Sequence, residues 1–145
     1  MSRHAYCSFC DDVRLEVGNK LSIMGIYGGE LVVPVAPFVL ARLCCVIGFV
    51  MPAENPVSSL SLVLRANGAD IARGEIPSQQ LVEMRQRSEA LSSTDDPISR
   101  YSLSFPLAVN PYLVSEPHVI KAFAIADGEE LPAGRLYVSV GKPRS

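Results

Sequence analysis

Four cysteines offer the most direct chemistry in the chain: Cys7 and Cys10 form a C-x-x-C, and Cys44 and Cys45 are adjacent. Four thiolates converging on a tetrahedron would bind zinc, and a lone C-x-x-C can do redox work. The spacing opposes both roles if these segments are strands. Residues 7 and 10 would then point to opposite faces, and so would 44 and 45. The plainer reading is four buried, free thiols acting as small hydrophobes. The two histidines, His4 and His118, carry no serine–acid spacing, and G-x-S-x-G does not occur. A triad assembled in space from distant residues stays open. Asp11-Asp12 and Asp95-Asp96 are paired carboxylates, but the D-x-D-x-D-G pattern of a calcium loop is missing, so solvated turn residues are the simpler account. Neither G-x-x-x-x-G-K-[ST] nor G-x-G-x-x-G occurs, so no phosphate loop is expected. No catalytic constellation and no cofactor site emerge.

The densest charge lies in one stretch containing Asp11, Asp12, Arg14, Glu16, Lys20, Tyr27 and Glu30. Charges beside an aromatic on a rigid hairpin suit a polar ligand or a partner protein. The alternative is a solvated hairpin end.

These residues must be positioned by strands. Ala5 to Asp11 alternates as a strand does, and a turn or short continuation closes at Gly18-Asn19. Leu21 to Tyr27 returns, Gly28-Gly29 bends the chain, and Glu30 to Val33 resumes it. Val39 to Met51 is apolar on both faces. Such a strand is either covered on both sides or lies at a subunit interface, and Cys44, Val46 and Val50 are the expected interface side chains. Leu60 to Ile76 is a hairpin about Asn67-Gly68, with Ala66 opposite Ala69, Arg65 opposite Asp70 and Leu64 opposite Ile71. The period then changes: Leu81, Met84, Ser88 and Leu91 fall at helical spacing, Ser78 suits the N-cap, and Glu83 and Arg87 form an i,i+4 pair. Ser92 to Pro97 reads as a mobile polar loop. Ser99 to Val109, with Pro106 marking an edge, then His118 to Ala126 and Leu131 to Val140 complete the strands.

The pattern predicts an all-β, antiparallel immunoglobulin-like sandwich of about seven to nine strands, with one helical insert near 78–91, as a single domain over 1–145. The 145 residues suffice for a core without metal or disulfides. A hydrophobic content of 48% with 19% charged residues argues against disorder and hints at a second apolar surface. A net charge of −2 gives no footprint for nucleic acid. The apolar run from Val32 to Val50 is broken by Pro34, Pro37 and Arg42, too interrupted for a membrane span. No secretory pattern opens the chain, so free thiols in a reducing cytoplasm are expected.

The segment Cys10-Asp11-Asp12-Val13-Arg14-x-Glu16-x-Gly18-x-Lys20-x-Ser22-x-x-Gly25-x-Tyr27-x-Gly29 resembles an uncharacterised bacterial domain-of-unknown-function family, some of whose members are encoded by phages. The resemblance covers residues 7 to 33. Val13 stands where isoleucine is commoner. It implies a short stand-alone β-sandwich from a bacterium or phage, and it brings no activity with it. Two functional expectations follow. The first is a non-enzymatic interaction module that self-associates through an apolar sheet face and presents the 11–30 hairpin to a partner. The second is a binder that sequesters a small nucleotide-like signal through Arg14, Lys20 and Tyr27, with the 92–97 loop as a lid, as a phage counter-defence factor would. A hydrolase built on His118 ranks third.

Overall fold

The structure is a computed structural model that describes residues 2–141. Its elements in chain order are β1 (His4–Glu16), β2 (Lys20–Ile26), β3 (Glu30–Val33), β4 (Phe38–Leu40), β5 (Leu43–Pro52), β6 (Leu60–Ala66), β7 (Ala69–Ile76), α1 (Ser78–Ala90), β8 (Arg100–Val109), β9 (Tyr112–Val114), β10 (His118–Ala126) and β11 (Glu129–Val140). Two main sheets form, ordered β2-β1-β5-β8 and β3-β11-β10-β6-β7, and β4 pairs with β9 in a separate ribbon. The all-β sandwich is therefore as expected, with eleven strands among the described residues rather than about seven to nine. Every ladder is antiparallel except β3 against β11, which is parallel.

Alternation in the sequence builds the core between the two sheets. From the first sheet come Phe9, Leu43, Cys45, Ile47, Phe49 and Met51. The second contributes Leu62, Leu64, Ile120, Ala122, Ala124 and Leu136. Small residues set the close approaches. A Cβ on Gly134 would lie 2.6 Å from Cys7 Sγ, so β1 of the first sheet packs directly on β11 of the second. β8 is the edge of its sheet, where the missing amide of Pro106 costs no ladder bond.

Several local expectations need correction. The apolar run 39–51 is two elements: β4 turns away to join β9, and only β5 enters the sheet. Asn67 and Gly68 both have positive φ, 53° and 77°, as a type I′ turn requires, and Arg65 faces Asp70 with an ion pair of 2.9 Å. The next pair slips, however. A bulge puts Leu64 opposite Ala72 rather than Ile71. In α1 the N-cap is Pro77, and Ser78 Oγ instead donates to the carbonyl of Ser58 at 3.4 Å. Glu83 accepts from Gln79 Nε2 at 3.2 Å rather than pairing with Arg87. Leu81 is the buried residue of the helix, whereas Leu91 is 79% exposed. The helix connects β7, the edge of one sheet, to β8, the edge of the other.

The loop 92–97 is held by its own serines. Ser93 Oγ accepts from the Asp96 amide at 3.0 Å, and Ser92 Oγ accepts from the Ile98 amide at 2.9 Å. A second polar staple sits at Asp127. Its carboxylate accepts from the Ser58 and Ser59 amides at 2.9 and 3.0 Å and pairs with Arg3 at 3.1 Å. Desolvation works against its charge, but the amides and Arg3 together hold the carboxyl below its usual range.

Phe49 is 1% exposed, so Phe49→Ala should lower stability by about 3–5 kcal/mol. Leu113, 55% exposed on β9, should cost no more than about 0.5 kcal/mol when changed to alanine. Urea unfolding midpoints of the two variants check the contrast.

Candidate functional site: an amphipathic arm beside an open cleft

β1 pairs with β5 only from His4 to Cys10, and with β2 from Cys10 to Glu16. Beyond Cys10 the β1–β2 hairpin is therefore a two-stranded arm. Its two faces differ in kind. Val13 lies opposite Ile23 and Leu15 opposite Leu21, which makes one face apolar. Arg14 lies opposite Ser22 and Glu16 opposite Lys20 on the other face. The apolar face borders a cleft of about 650 Å3. The far wall and floor come from Val46 of β5, Ser104, Phe105 and Pro106 of β8, together with Arg42 and, on α1, Gln80. Asn19 at the arm's turn also lines the adjoining groove of about 710 Å3 along Gln79, Glu83 and Arg87 of α1.

The apolar face is only half covered. Leu15 is 73% and Ile23 36% exposed, and at the turn Val17 is 93% exposed. On the opposite side of β2, Met24 and Ile26 are exposed at 36% and 62%. β2 is also the outer strand of its sheet, so one row of its backbone groups has no ladder partner.

The base of the arm is fixed by an acid–phenol pair. Tyr27 Oη donates to Asp11 Oδ1 at 2.5 Å, and the Tyr27 amide donates to the Phe9 carbonyl at 2.8 Å. Burial first, then the bond to Asp11, pushes the Tyr27 phenol well above its ordinary range. Gly25 has φ +67°, and a Cβ there would lie 2.2 Å from Asp11 Oδ2. That position requires glycine twice over, for conformation and for space. Asp12 is tied to Arg42 at 3.1 Å, and the Arg42 Nε–H also points at Cys44 Sγ at 3.1 Å.

The residues expected from sequence thus divide. Asp11, Tyr27 and Asp12 set the base of the arm, while Arg14, Glu16 and Lys20 form its polar outer face. Glu30 is not on the arm: it opens β3 opposite Tyr137 in the second sheet. Cys44, Val46 and Val50 do not form an exposed interface, being 0%, 6% and 8% exposed. The Tyr6 ring lies over Gly48 between them, with ring atoms 2.1–2.5 Å from where a Cβ would be. Arg42 covers Cys44, and the arm's cleft adjoins Val46. The loop 92–97 follows the C-terminus of α1, about 20 Å along the helix from Pro77, and lines neither groove, so it is not placed as a lid. Sequence reasoning missed Arg42 and the apolar arm face. The signal for the latter was present as the alternation Val13, Leu15, then Leu21, Ile23.

The cysteines are free. Cys45 lies in the core with half-buried Cys7 packed against it, and Cys10 lies opposite Cys44 on the other face of the sheet. Burial pushes the Cys10 thiol up from 9.0 to about 11, and nearby Cys44, Asp11 and Asp12 act the same way. Among the described residues no three His, Cys, Asp or Glu side chains gather to hold a metal. His118 has both ring nitrogens engaged: Nδ1 with the Glu116 carbonyl at 2.8 Å and Nε2 with the Tyr112 hydroxyl. No described helix is long and apolar enough to cross a membrane. No family model and no curated protein matches the chain.

Two outcomes follow. Gly25→Ala should destabilise the arm by more than about 1 kcal/mol, and Tyr27→Phe by about 1 kcal/mol, read as faster amide exchange in β2 than in β10. The raised Cys10 thiol fixes the sign of an alkaline effect. Its contribution to stability is complete below pH 9 and is lost as pH rises towards 11, because the unfolded thiol ionises first. Urea midpoints measured from pH 8 upwards should fall, and Cys10→Ala should flatten that fall.

Proposed function

We propose that the protein is a non-enzymatic interaction module whose docking element is the β1–β2 arm, through which it self-associates and engages a protein partner. One observation carries the reading: an apolar arm face left half open beside a cleft of about 650 Å3, with Leu15 73% exposed. Contiguous exposed apolar side chains on a projecting element favour association. The free edge of β2 adds a second means of attachment, since an added strand can pair with its backbone. That edge carries no proline and only Lys20 as a charge, so little in it opposes pairing. The self-association expected from Cys44, Val46 and Val50 is reassigned to the arm. The resemblance to a bacterial and phage family remains a proposal about origin and adds no activity.

A second reading rests on the size of the cleft, which lies within the range of small-ligand pockets. A ligand with an apolar body would lie on Val13, Leu21 and Pro106, with a polar group at Arg42. A sequestered nucleotide-like signal belongs to this reading.

Native mass spectrometry of the purified protein separates the two. The module should give an oligomer, and Leu15→Lys, at a side chain 73% exposed, should return it to a folded monomer. A monodisperse monomer at high concentration would remove the self-association. A discrete co-purifying mass, or stabilisation of about 2.7 kcal/mol by a ligand at 100 times its Kd, would establish the second reading instead.

A further inference from the structure

The outward face of the second sheet carries a row of cations. Arg65 of β6 lies opposite Lys121 of β10, and Lys121 lies opposite Arg135 of β11. Directly opposed side chains in antiparallel strands sit about 4.5–5.5 Å apart at Cβ, and like charges there are destabilising. Arg65 escapes the conflict. It pairs with Asp70 and Glu130, both at 2.9 Å, and its guanidinium lies over the Phe123 ring at 4.9 Å. Arg73 on the neighbouring strand takes Glu75 at 2.8 Å and the remaining side of Asp70 at 3.9 Å. Asp70, Glu75 and Glu130 are thereby engaged. Lys121 and Arg135 have no ion pair among the described residues, and both are exposed, in a chain whose net charge is −2.

The backbone makes room between them. β11 bulges between its pairs with Ala122 and Phe123, and Ala133 is the extra residue. The bulge opens a cavity of about 150 Å3 lined by Lys121, Phe123, Pro132 and Arg135 on the outer side. On the other side of the cation pair, Tyr137 follows Arg135 on the same face and is 51% exposed. The pair is thus flanked by Phe123 and Pro132 on one side and by Tyr137 on the other. Glu30, opposite Tyr137, is the nearest acid by register, and it bonds neither cation.

We infer that Lys121 and Arg135 form an anion site for a phosphate monoester that carries a flat ring. The phosphate bridges ammonium and guanidinium at the bulge, which converts their mutual repulsion into two charge-assisted contacts. The ring lies on Tyr137. The cavity is large enough for a phosphate group and too small for a whole nucleotide, so the ring has to lie outside it. The site is on the opposite sheet from the arm, and its failure would leave the arm reading intact.

Two-dimensional NMR titration with inorganic phosphate and with adenosine 5′-monophosphate tests it. Both should shift the amides of Lys121 and Arg135. The monoester should also shift Tyr137 and bind about tenfold more tightly, a stacking effect. Lys121→Ala or Arg135→Ala should weaken binding about tenfold or more, while Glu30→Gln should strengthen it. Arg100→Ala, on β8 of the other sheet, should change nothing. No shift at Lys121 and Arg135 at millimolar concentrations, or equal shifts in the alanine variants, would overturn the site. Phosphate and the monophosphate binding alike would overturn the ring contact with Tyr137.

Discussion

Complete burial of β5 is the constraint on which the rest of the sandwich depends. All ten of its residues, Leu43 to Pro52, are shielded on both faces. Buried backbone groups must be hydrogen-bonded, so both edges of the strand need partners. β1 supplies one ladder and β8 the other, and that requirement sets the order of the first sheet. The inward face, from Leu43 through Ile47 to Met51, meets the second sheet. The outward face has no second sheet above it. It is covered locally by the Tyr6 ring over Gly48 and by Arg42 on Cys44, and the cleft beside the arm adjoins Val46.

The arm follows from the same arrangement. β1 is 13 residues long, but its ladder with β5 ends at Cys10. The remainder has only β2 as a neighbour, and an isolated two-stranded ribbon is marginal in water unless it packs on something. Its apolar face is partly sheltered by β5 and β8, which accounts for the cleft. Its base is fixed more firmly, by the Asp11–Tyr27 bond and the glycine at 25. The element is anchored where it leaves the sheet and incompletely packed where it could meet another molecule.

The two outer surfaces handle polarity differently. On the second sheet, acids and bases alternate so closely that Arg65 and Arg73 share Asp70 and each takes a further glutamate. Exposed pairs of this kind contribute little to stability, about 0–1 kcal/mol each, but they determine which charges are left over. On the first sheet the arm sorts its side chains: Arg14, Glu16 and Lys20 lie on one face, and Val13, Leu15, Leu21 and Ile23 on the other. The two surfaces therefore differ in what they expose.

The sequence by itself determined most of the elements, though not the short strands β4 and β9. Period-two alternation in 5–11, 60–66, 100–109 and 118–126, the turn chemistry of Asn67-Gly68 and the helical spacing from Leu81 to Met84 all depend on local geometry that neighbouring residues dictate. It also placed Pro106 on an edge and put Cys7 and Cys10 on opposite faces, for the same reason. Contacts between distant segments decided the rest. Whether the two-faced strand at 43–52 lay at an interface or inside the chain turned on Tyr6 and Arg42 reaching it, which no spacing encodes. The bulge at Leu64–Arg65 moved Ile71 out of register, a shift that the turn residues do not specify. Glu30 left the charged hairpin because β3 joined β11 in parallel, a pairing over 100 residues away in sequence. The meeting of Lys121 with Arg135, and of the arm with Val46 and Pro106, likewise exists only after the strands are paired. A sequence specifies each strand's faces, but which strand lies opposite is a property of the whole sheet.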